Sequence, residues 1–193
     1  MPPQAITVAV TAPSDVRDAR RIARASLGGD RSVVLTAFNF TEHDLVLDDC
    51  VPDRDAFERP PATTWPARSA MVFSARGIGS PGRLTWRGTH PDQGDFCFEI
   101  AWETPLTGAH HASARAFHRV PWPSYAEYIG GCGADGVPVE TSFLGASAVA
   151  SYGRPHAGLY FALHPVSATA SADGLLHRGL EIGPEEPVAG RRR

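Results

Sequence analysis

The chain has 193 residues, 42% hydrophobic and 20% charged, which is enough to bury the core of one domain. Its net charge of −3 excludes a general electrostatic attraction to nucleic acid. All 18 basic residues are arginine, and the lack of lysine excludes Schiff-base chemistry and a phosphate-loop lysine. The three cysteines form no CxxC pair, so neither a zinc ribbon nor a disulfide framework is predicted.

Residues 1–30 are expected to form an N-terminal extension with a short basic amphipathic helix. Ser14 is the predicted N-cap, and Gly28 and Gly29 are predicted to end the helix. At 100° per residue, one side of the helix is apolar and the other is basic. The apolar side carries Val16, Ala19, Ile22, Ala23 and Leu27, and the basic side carries Arg17, Arg20, Arg21 and Arg24. Two roles remain open, a helix packed on the domain with solvated arginines or a helix that binds a membrane surface or a partner.

The first residues, "MPPQAITVAVTAPS", have no positively charged leader region, so no secretory signal is predicted. No run approaches the roughly 18 apolar residues of a membrane helix. We therefore expect a soluble protein made in the cytoplasm, with a non-classical route as the candidate for any release.

From residue 31 the hydrophobic period changes to two, which predicts β-strands. The clearest case is "DFCFEIAWE", residues 95–103, in which Phe96, Phe98, Ile100 and Trp102 share one face. Short Gly- and Pro-rich turns separate such segments, and no helical pattern lies between them. Because parallel pairing needs long crossovers, the pattern predicts an antiparallel β-sandwich over residues 31–169, followed by a polar tail over 170–193. No GxGxxG follows the first strand, which excludes a dinucleotide-binding start.

Four segments in order resemble the aegerolysins and their crystal-toxin-like bacterial relatives. They are "SVVLTAFNFTEHDLVL", "FERPPATT", "MVFSARGIGSPGRLTW" and "FEIAWETPLTG", and the resemblance spans about residues 31–118 with a weaker continuation to about 168. The resemblance implies a small β-sandwich that binds membrane lipid headgroups, with a pore-forming protein as a candidate partner in a cytolytic or toxin-like system. The chain departs from the family pattern at Phe57, at Pro81, and at Ala109 and His110, so no particular lipid specificity is carried over.

Aromatic and arginine side chains are the candidate lipid-binding groups. Trp65 and Trp122 stand beside prolines in predicted loops, whereas Trp86 and Trp102 are predicted to fill the core by strand alternation. Tyr125 and Tyr128 follow Trp122 closely and could form one aromatic platform with it. The candidate phosphate-binding arginines are Arg59, Arg68, Arg76 and Arg119.

Two alternatives to lipid binding remain open. One is a small-molecule binder or metal-dependent enzyme that uses a histidine-lined end of the sandwich. On a strand His110 and His118 would lie about 26 Å apart, so a metal site would need partners such as His43, His90 or His164 from other strands. The other alternative is a carbohydrate-binding module, because the aromatic segment would serve a sugar equally well. Neither GxSxG nor HExxH occurs, and we assign no catalytic residue, metal or cofactor.

Overall fold

The computed structural model describes residues 4–11, 13–25, 27, 32–51, 56–76, 81–105, 109–120, 137–151 and 158–169. One helix and twelve strands account for most of them. They are β1 (Ile6–Ala9), α1 (Pro13–Ala25), β2 (Ser32–Asn39), β3 (Leu45–Val51), β4 (Phe57–Arg59), β5 (Thr64–Trp65), β6 (Ser69–Arg76), β7 (Gly82–His90), β8 (Gly94–Glu103), β9 (His111–Val120), β10 (Val137–Glu140), β11 (Leu144–Ser151) and β12 (Gly158–Pro165). A 3-10 turn, Val166–Ala168, follows β12.

The strands form two six-stranded sheets. The first has the order β1-β6-β2-β12-β11, with β4 also paired to β6, and the second has the order β10-β9-β8-β7-β3-β5. The predicted β-sandwich with a short helix is confirmed. One pair departs from the antiparallel rule, because β12 runs parallel to β2 from Gly158 opposite Val34 to Leu163 opposite Asn39. These two strands are far apart in sequence and the second sheet is built between them, so their parallel pairing needs no crossover helix.

The core lies between the sheets and is rich in aromatic rings. Trp86 and Trp102 are both buried there, as strand alternation predicts. The four apolar residues of 95–103 are buried as well, and the ring of Trp86 lies 6.2 Å from that of Phe98. Cys97 lies on the opposite face of β8 from these four residues. Its thiol is buried on the outer side of the second sheet, beside the guanidinium of Arg119.

Helix α1 packs on the outer face of the first sheet. Ala19 and Ala23 contact Val34 and Val72 there. Of the two predicted roles, the structure therefore shows a helix that is packed on the domain. The prediction that the arginines of the basic side are solvated is wrong for Arg20, because its side chain is buried. The sheet supplies what a buried guanidinium needs: Nη1 donates to Oγ1 of Thr36 at 2.5 Å, and the ring centroid of Tyr160 lies 4.3 Å away.

Within the described residues, no helix is both long enough and apolar enough to span a bilayer.

Candidate functional site

One end of the sandwich gathers polar, aromatic and exposed apolar side chains. We call it the histidine end and define it as residues 40–44, 66–68, 90–94, 118–120, 141–143 and 166–168. The strand order places these segments together, because β2 ends and β3 begins there, as do β7 and β8 and also β5 and β6. The 3-10 turn joins them through the backbone bond from Val166 N–H to the carbonyl of Phe143, 3.0 Å long.

A buried amide fixes the shape of this end. Asn39 is fully buried, and its Nδ2 donates to the carbonyls of His43 at 2.8 Å and Pro66 at 3.2 Å. Its Oδ1 accepts from the backbone N–H of Thr41 at 3.1 Å and from the Thr41 hydroxyl at 2.7 Å. One side chain therefore ties loop 40–44 to turn 66–68 and supplies hydrogen-bond partners to backbone groups of both segments.

Three half-buried histidines surround two phenylalanines at the histidine end. The rings of His43 and His90 are 5.0 Å apart between centroids, and the ring of Phe143 lies 4.8 Å from His90 and 5.6 Å from His118. Phe96, which is buried, joins His43 at 5.7 Å to Phe143 at 5.9 Å. The five rings form one continuous layer over the end of the core.

The hydrogen bonds of two of these histidines define the role of Nδ1 in each ring. His90 Nδ1 accepts from the backbone N–H groups of Asp92 at 3.1 Å and Gln93 at 3.3 Å, so the neutral ring carries its proton on Nε2. His118 Nδ1 donates to the carbonyl of Asp95 at 2.8 Å. The ring of His90 is therefore held by the backbone of the β7–β8 turn, and the ring of His118 by the backbone at the start of β8.

The pKa of His43 is lowered from its ordinary value, first by burial and second by the neighbouring His90, while Glu42 opposes the shift. The pKa of Glu42 is also lowered, chiefly by the hydrogen bond that it accepts from Arg68. The pair formed by Glu42 and Arg68 is exposed to solvent. At neutral pH the histidine end thus holds a neutral His43 beside an ion pair.

Exposed valines flank the ring layer. Val166 is 49% exposed and Val120 is 37% exposed, and Val139 lies opposite His118 in the register of β9 and β10. Val120 pairs with Val137, and both lie at this end. Isolated exposed valines are common, but these lie at the same end as the half-buried rings and give the end an apolar character.

The predicted aromatic anchors divide into one inside the fold and three outside the described residues. Trp65 is fully buried, its Nε1 donates to the carbonyl of Ser69 at 3.3 Å, and its ring lies 5.1 Å from that of Trp86. The prediction of Trp65 as a surface group is therefore corrected, because β5 pairs with β3 and turns this ring into the core. Trp122, Tyr125 and Tyr128 lie outside the described residues.

The four predicted arginines do not form one cluster. Arg68 is exposed at the histidine end with a backbone φ of 52°, and Arg119 is half-buried near the end of β9, 5.5 Å from the ring centroid of Phe117. Arg59 corrects the prediction, because it is buried and its Nη1 donates to the carbonyl of Gln4 at 2.6 Å. Arg76 is the last residue of β6, toward the opposite end of the sandwich, and its side chain is not among those that the structure describes.

The histidines predicted as possible metal partners are only partly brought together. His43 and His90 meet, but in the part of the chain that the structure describes no three His, Cys, Asp or Glu side chains could hold one ion. His164 is buried elsewhere, on the outer face of the first sheet. Its Nδ1 donates to the carbonyl of Pro165 at 3.0 Å, and its Nε2 lies 3.2 Å from the hydroxyl of Ser147.

An open depression of about 590 Å³ lies at the opposite end of the second sheet. Polar side chains and the buried ring of Trp102 line it, among them Arg83, Glu103, His111 and Ser113. Arg83 is already engaged there, since its Nη2 lies 2.8 Å from a carboxylate oxygen of Asp49. The depression therefore has a mixed lining, in which apolar groups such as Val51 and Pro81 lie beside these polar side chains.

Phe143 and its contacts were missed by sequence reasoning. The alternation in "VPVETSF", residues 137–143, favours one strand that runs through Phe143. In the structure β10 ends at Glu140, and Phe143 lies in the loop that crosses to the first sheet. The one available signal was the run of polar residues before it, "ETS", which is common in loops.

Comparisons with known proteins show a likeness of fold. No family model matches the chain, and no curated protein matches it. Among solved structures, the lipid-binding protein Nakanori is similar with a TM-score of 0.57 at 12% identity, over 78% of this chain and 79% of that one. A likeness at this identity shows the shared sandwich fold.

Proposed function

We propose that the protein binds membrane lipid through the histidine end. The observation that carries the proposal is the ring layer around Phe143, bordered by the exposed side chains of Val120 and Val166. Half-buried rings with polar edges and neighbouring apolar side chains suit the boundary between headgroups and acyl chains. The fold likeness to a lipid-binding protein over most of both chains supports the same direction.

The place of the aromatic segment in the sequence adds to this proposal. "VPWPSYAEY" begins at Val120, at the histidine end, so Trp122, Tyr125 and Tyr128 belong to the stretch that starts beside the ring layer. Arg68 and Arg119 are the arginines of the predicted set that lie at the same end, where a guanidinium would meet lipid phosphate. Arg59 and Arg76 are not part of the proposed surface.

The finer part of the proposal follows the aegerolysin resemblance. We propose that lipid binding serves a cytolytic or toxin-like system in which this chain supplies recognition and a second protein forms the pore. Dye-filled vesicles test the division of labour, because the chain alone should bind them without releasing the dye. Release of the dye by the chain alone would contradict the need for a pore-forming partner.

The test of lipid binding is co-sedimentation with vesicles of phosphatidylcholine, phosphatidylethanolamine, phosphatidylserine or sphingomyelin. Val166→Asp places a charge at the histidine end and should weaken binding about tenfold or more. Val51→Asp is the matched control, since Val51 is 44% exposed but lies at the opposite end, and it should bind as the unchanged protein does. Absence of binding to every lipid, or equal loss in both variants, would refute the proposal, and a glycan array would then test a sugar ligand.

A further inference from the structure

A serine and a histidine are hydrogen-bonded on the outer face of the first sheet. Oγ of Ser147 on β11 lies 3.2 Å from Nε2 of His164 on β12, and Nδ1 of the same ring lies 3.0 Å from the carbonyl oxygen of Pro165. Because a carbonyl oxygen only accepts, Nδ1 carries the ring proton, and Nε2 of the neutral ring is an acceptor. The Ser147 hydroxyl therefore donates to His164, which is the arrangement of a serine nucleophile and its general base.

Packing fixes the ring of His164 in this orientation. The side chain is 1% exposed, and a Cβ atom at Gly145, the residue opposite it on β11, would lie only 2.6 Å from Cε1 of the ring. Glycine at this position lets the ring lie directly against the backbone of β11, two residues from Ser147. The carbonyl of Pro165 then orients the base, as a carboxylate does in a Ser-His-Asp triad.

An apolar surface lies beside the serine. Ser147 is half-buried and stands opposite Ala162, whose neighbour on the next strand is Phe38. Phe40 and Val149 pack on the same cluster, and the rings of Phe38 and Phe40 are stacked with 5.7 Å between their centroids. An apolar acyl group carried by the serine would therefore have apolar side chains to pack against.

We propose that Ser147 and His164 form a site that hydrolyses carboxylic esters with an apolar acyl group. Oγ of Ser147 attacks the carbonyl carbon and forms a C–O bond, while its proton passes to Nε2 of His164. The bond to the alcohol then breaks, and His164 gives this proton to the leaving oxygen. Water attacks the acyl-serine in the same manner. Its proton passes through His164 back to Oγ of Ser147, and the carboxylic acid is released.

The place of Ser147 in an edge strand bears on the mechanism and on the absence of a sequence motif. In the described strand order β11 is the last strand of the first sheet, so alternate N–H groups of β11 point away from β12 and can donate to the oxyanion. Ser147 lies inside the strand "LGASAVAS" and not in the strand-to-helix turn of GxSxG enzymes. The activity goes beyond the proposed lipid binding, and neither requires the other.

Covalent labelling tests the pair directly. The full chain is incubated with a fluorophosphonate probe, which reacts with a serine that has an adjacent base, and the labelled residue is identified by mass spectrometry. We expect labelling at Ser147 together with hydrolysis of p-nitrophenyl butyrate. Ser147→Ala should abolish both reactions. His164→Gln keeps a hydrogen-bond acceptor for the serine but no base, so it should slow both reactions by about 100-fold or more.

Ser113→Ala is the matched control, because Ser113 is an exposed serine on β9, and this variant should react as the unchanged protein does. Near-ultraviolet circular dichroism shows that each variant is folded before the rates are compared. Absence of the label at Ser147, or equal rates in His164→Gln and the unchanged protein, would overturn the ester site. Both assays are free of lipid, so their result is independent of the vesicle experiments that test the proposed function.

Discussion

Substitutions of Trp65 distinguish a structural role of its ring from a lipid-binding role, because the ring is buried in the core. Trp65→Ala removes a fully buried indole that contacts Trp86 and Phe98, and such a change costs about 3–5 kcal/mol. Since a domain of this kind is stable by roughly 5–15 kcal/mol, the alanine variant would be marginal. Trp65→Phe keeps an aromatic ring but loses the hydrogen bond to the carbonyl of Ser69, so we expect a loss of about 1–3 kcal/mol.

The assay is urea unfolding followed by circular dichroism, paired with vesicle binding of the folded Trp65→Phe variant. Val46→Ala is the control, because Val46 lies in the strand paired with β5 but is 52% exposed, and its loss should stay within about 0.5 kcal/mol. Vesicle binding by the folded phenylalanine variant should equal that of the unchanged protein. A stability loss below about 0.5 kcal/mol together with weaker vesicle binding would refute the buried position and restore Trp65 as an anchor.

Three further changes test the packing and the electrostatics. Gly82→Ala should lower the free energy of unfolding by about 1–3 kcal/mol, because a methyl group there overlaps the buried ring of Trp102; an unchanged urea midpoint would contradict this packing. Arg20→Met should cost about 1–3 kcal/mol through the lost bond to Thr36, and a stability loss no larger than that of an exposed helix residue would argue against the buried guanidinium. Because the pKa of His43 is lower in the folded chain than in the unfolded one, the free energy of unfolding should be full above about pH 6.5 and fall as the pH drops below it. His43→Gln should reduce that fall in thermal unfolding followed between neutral and acid pH, and an equal fall in the variant would assign it to other groups.

Alternation of apolar and polar residues predicts the strands that have one buried and one solvent-exposed face. Residues 95–103 show this, since their apolar positions are buried and Glu99 and Glu103 are not. The parallel pair of β2 and β12 was not predictable in the same way. Strand β12 is buried on both faces at nearly every residue, and a continuous apolar run carries no sign of its partner or direction. The two-residue strand β5 is too short for any period to appear.

The errors at single residues share a physical cause. Trp65 stands before Pro66 and was expected in a loop, yet pairing of β5 with β3 places its ring in the core. Arg20 lies on the basic side of α1, but Thr36 and Tyr160 on the sheet below supply an acceptor and a ring face. In both cases a contact distant in sequence overrides the local pattern.

The histidine pair illustrates the same limit for the candidate site. His43 and His90 were recognised only as two of several histidines from different strands, because nothing in the sequence brings their rings together. Strands β2 and β7 end at the same end of the sandwich, and the loops after them bring the two rings together. Sequence reasoning could supply the residue types of the site but not their distances.

Two separate sets of hydrogen bonds hold the loops of this end. Loop 40–44 and turn 66–68 are tied by Asn39, and each of its two polar side-chain atoms makes two hydrogen bonds. Turn 90–94 is tied through His90 Nδ1, which accepts the backbone N–H groups of Asp92 and Gln93. The contact between the rings of His90 and Phe143, 4.8 Å between centroids, therefore depends on the second set and not on Asn39.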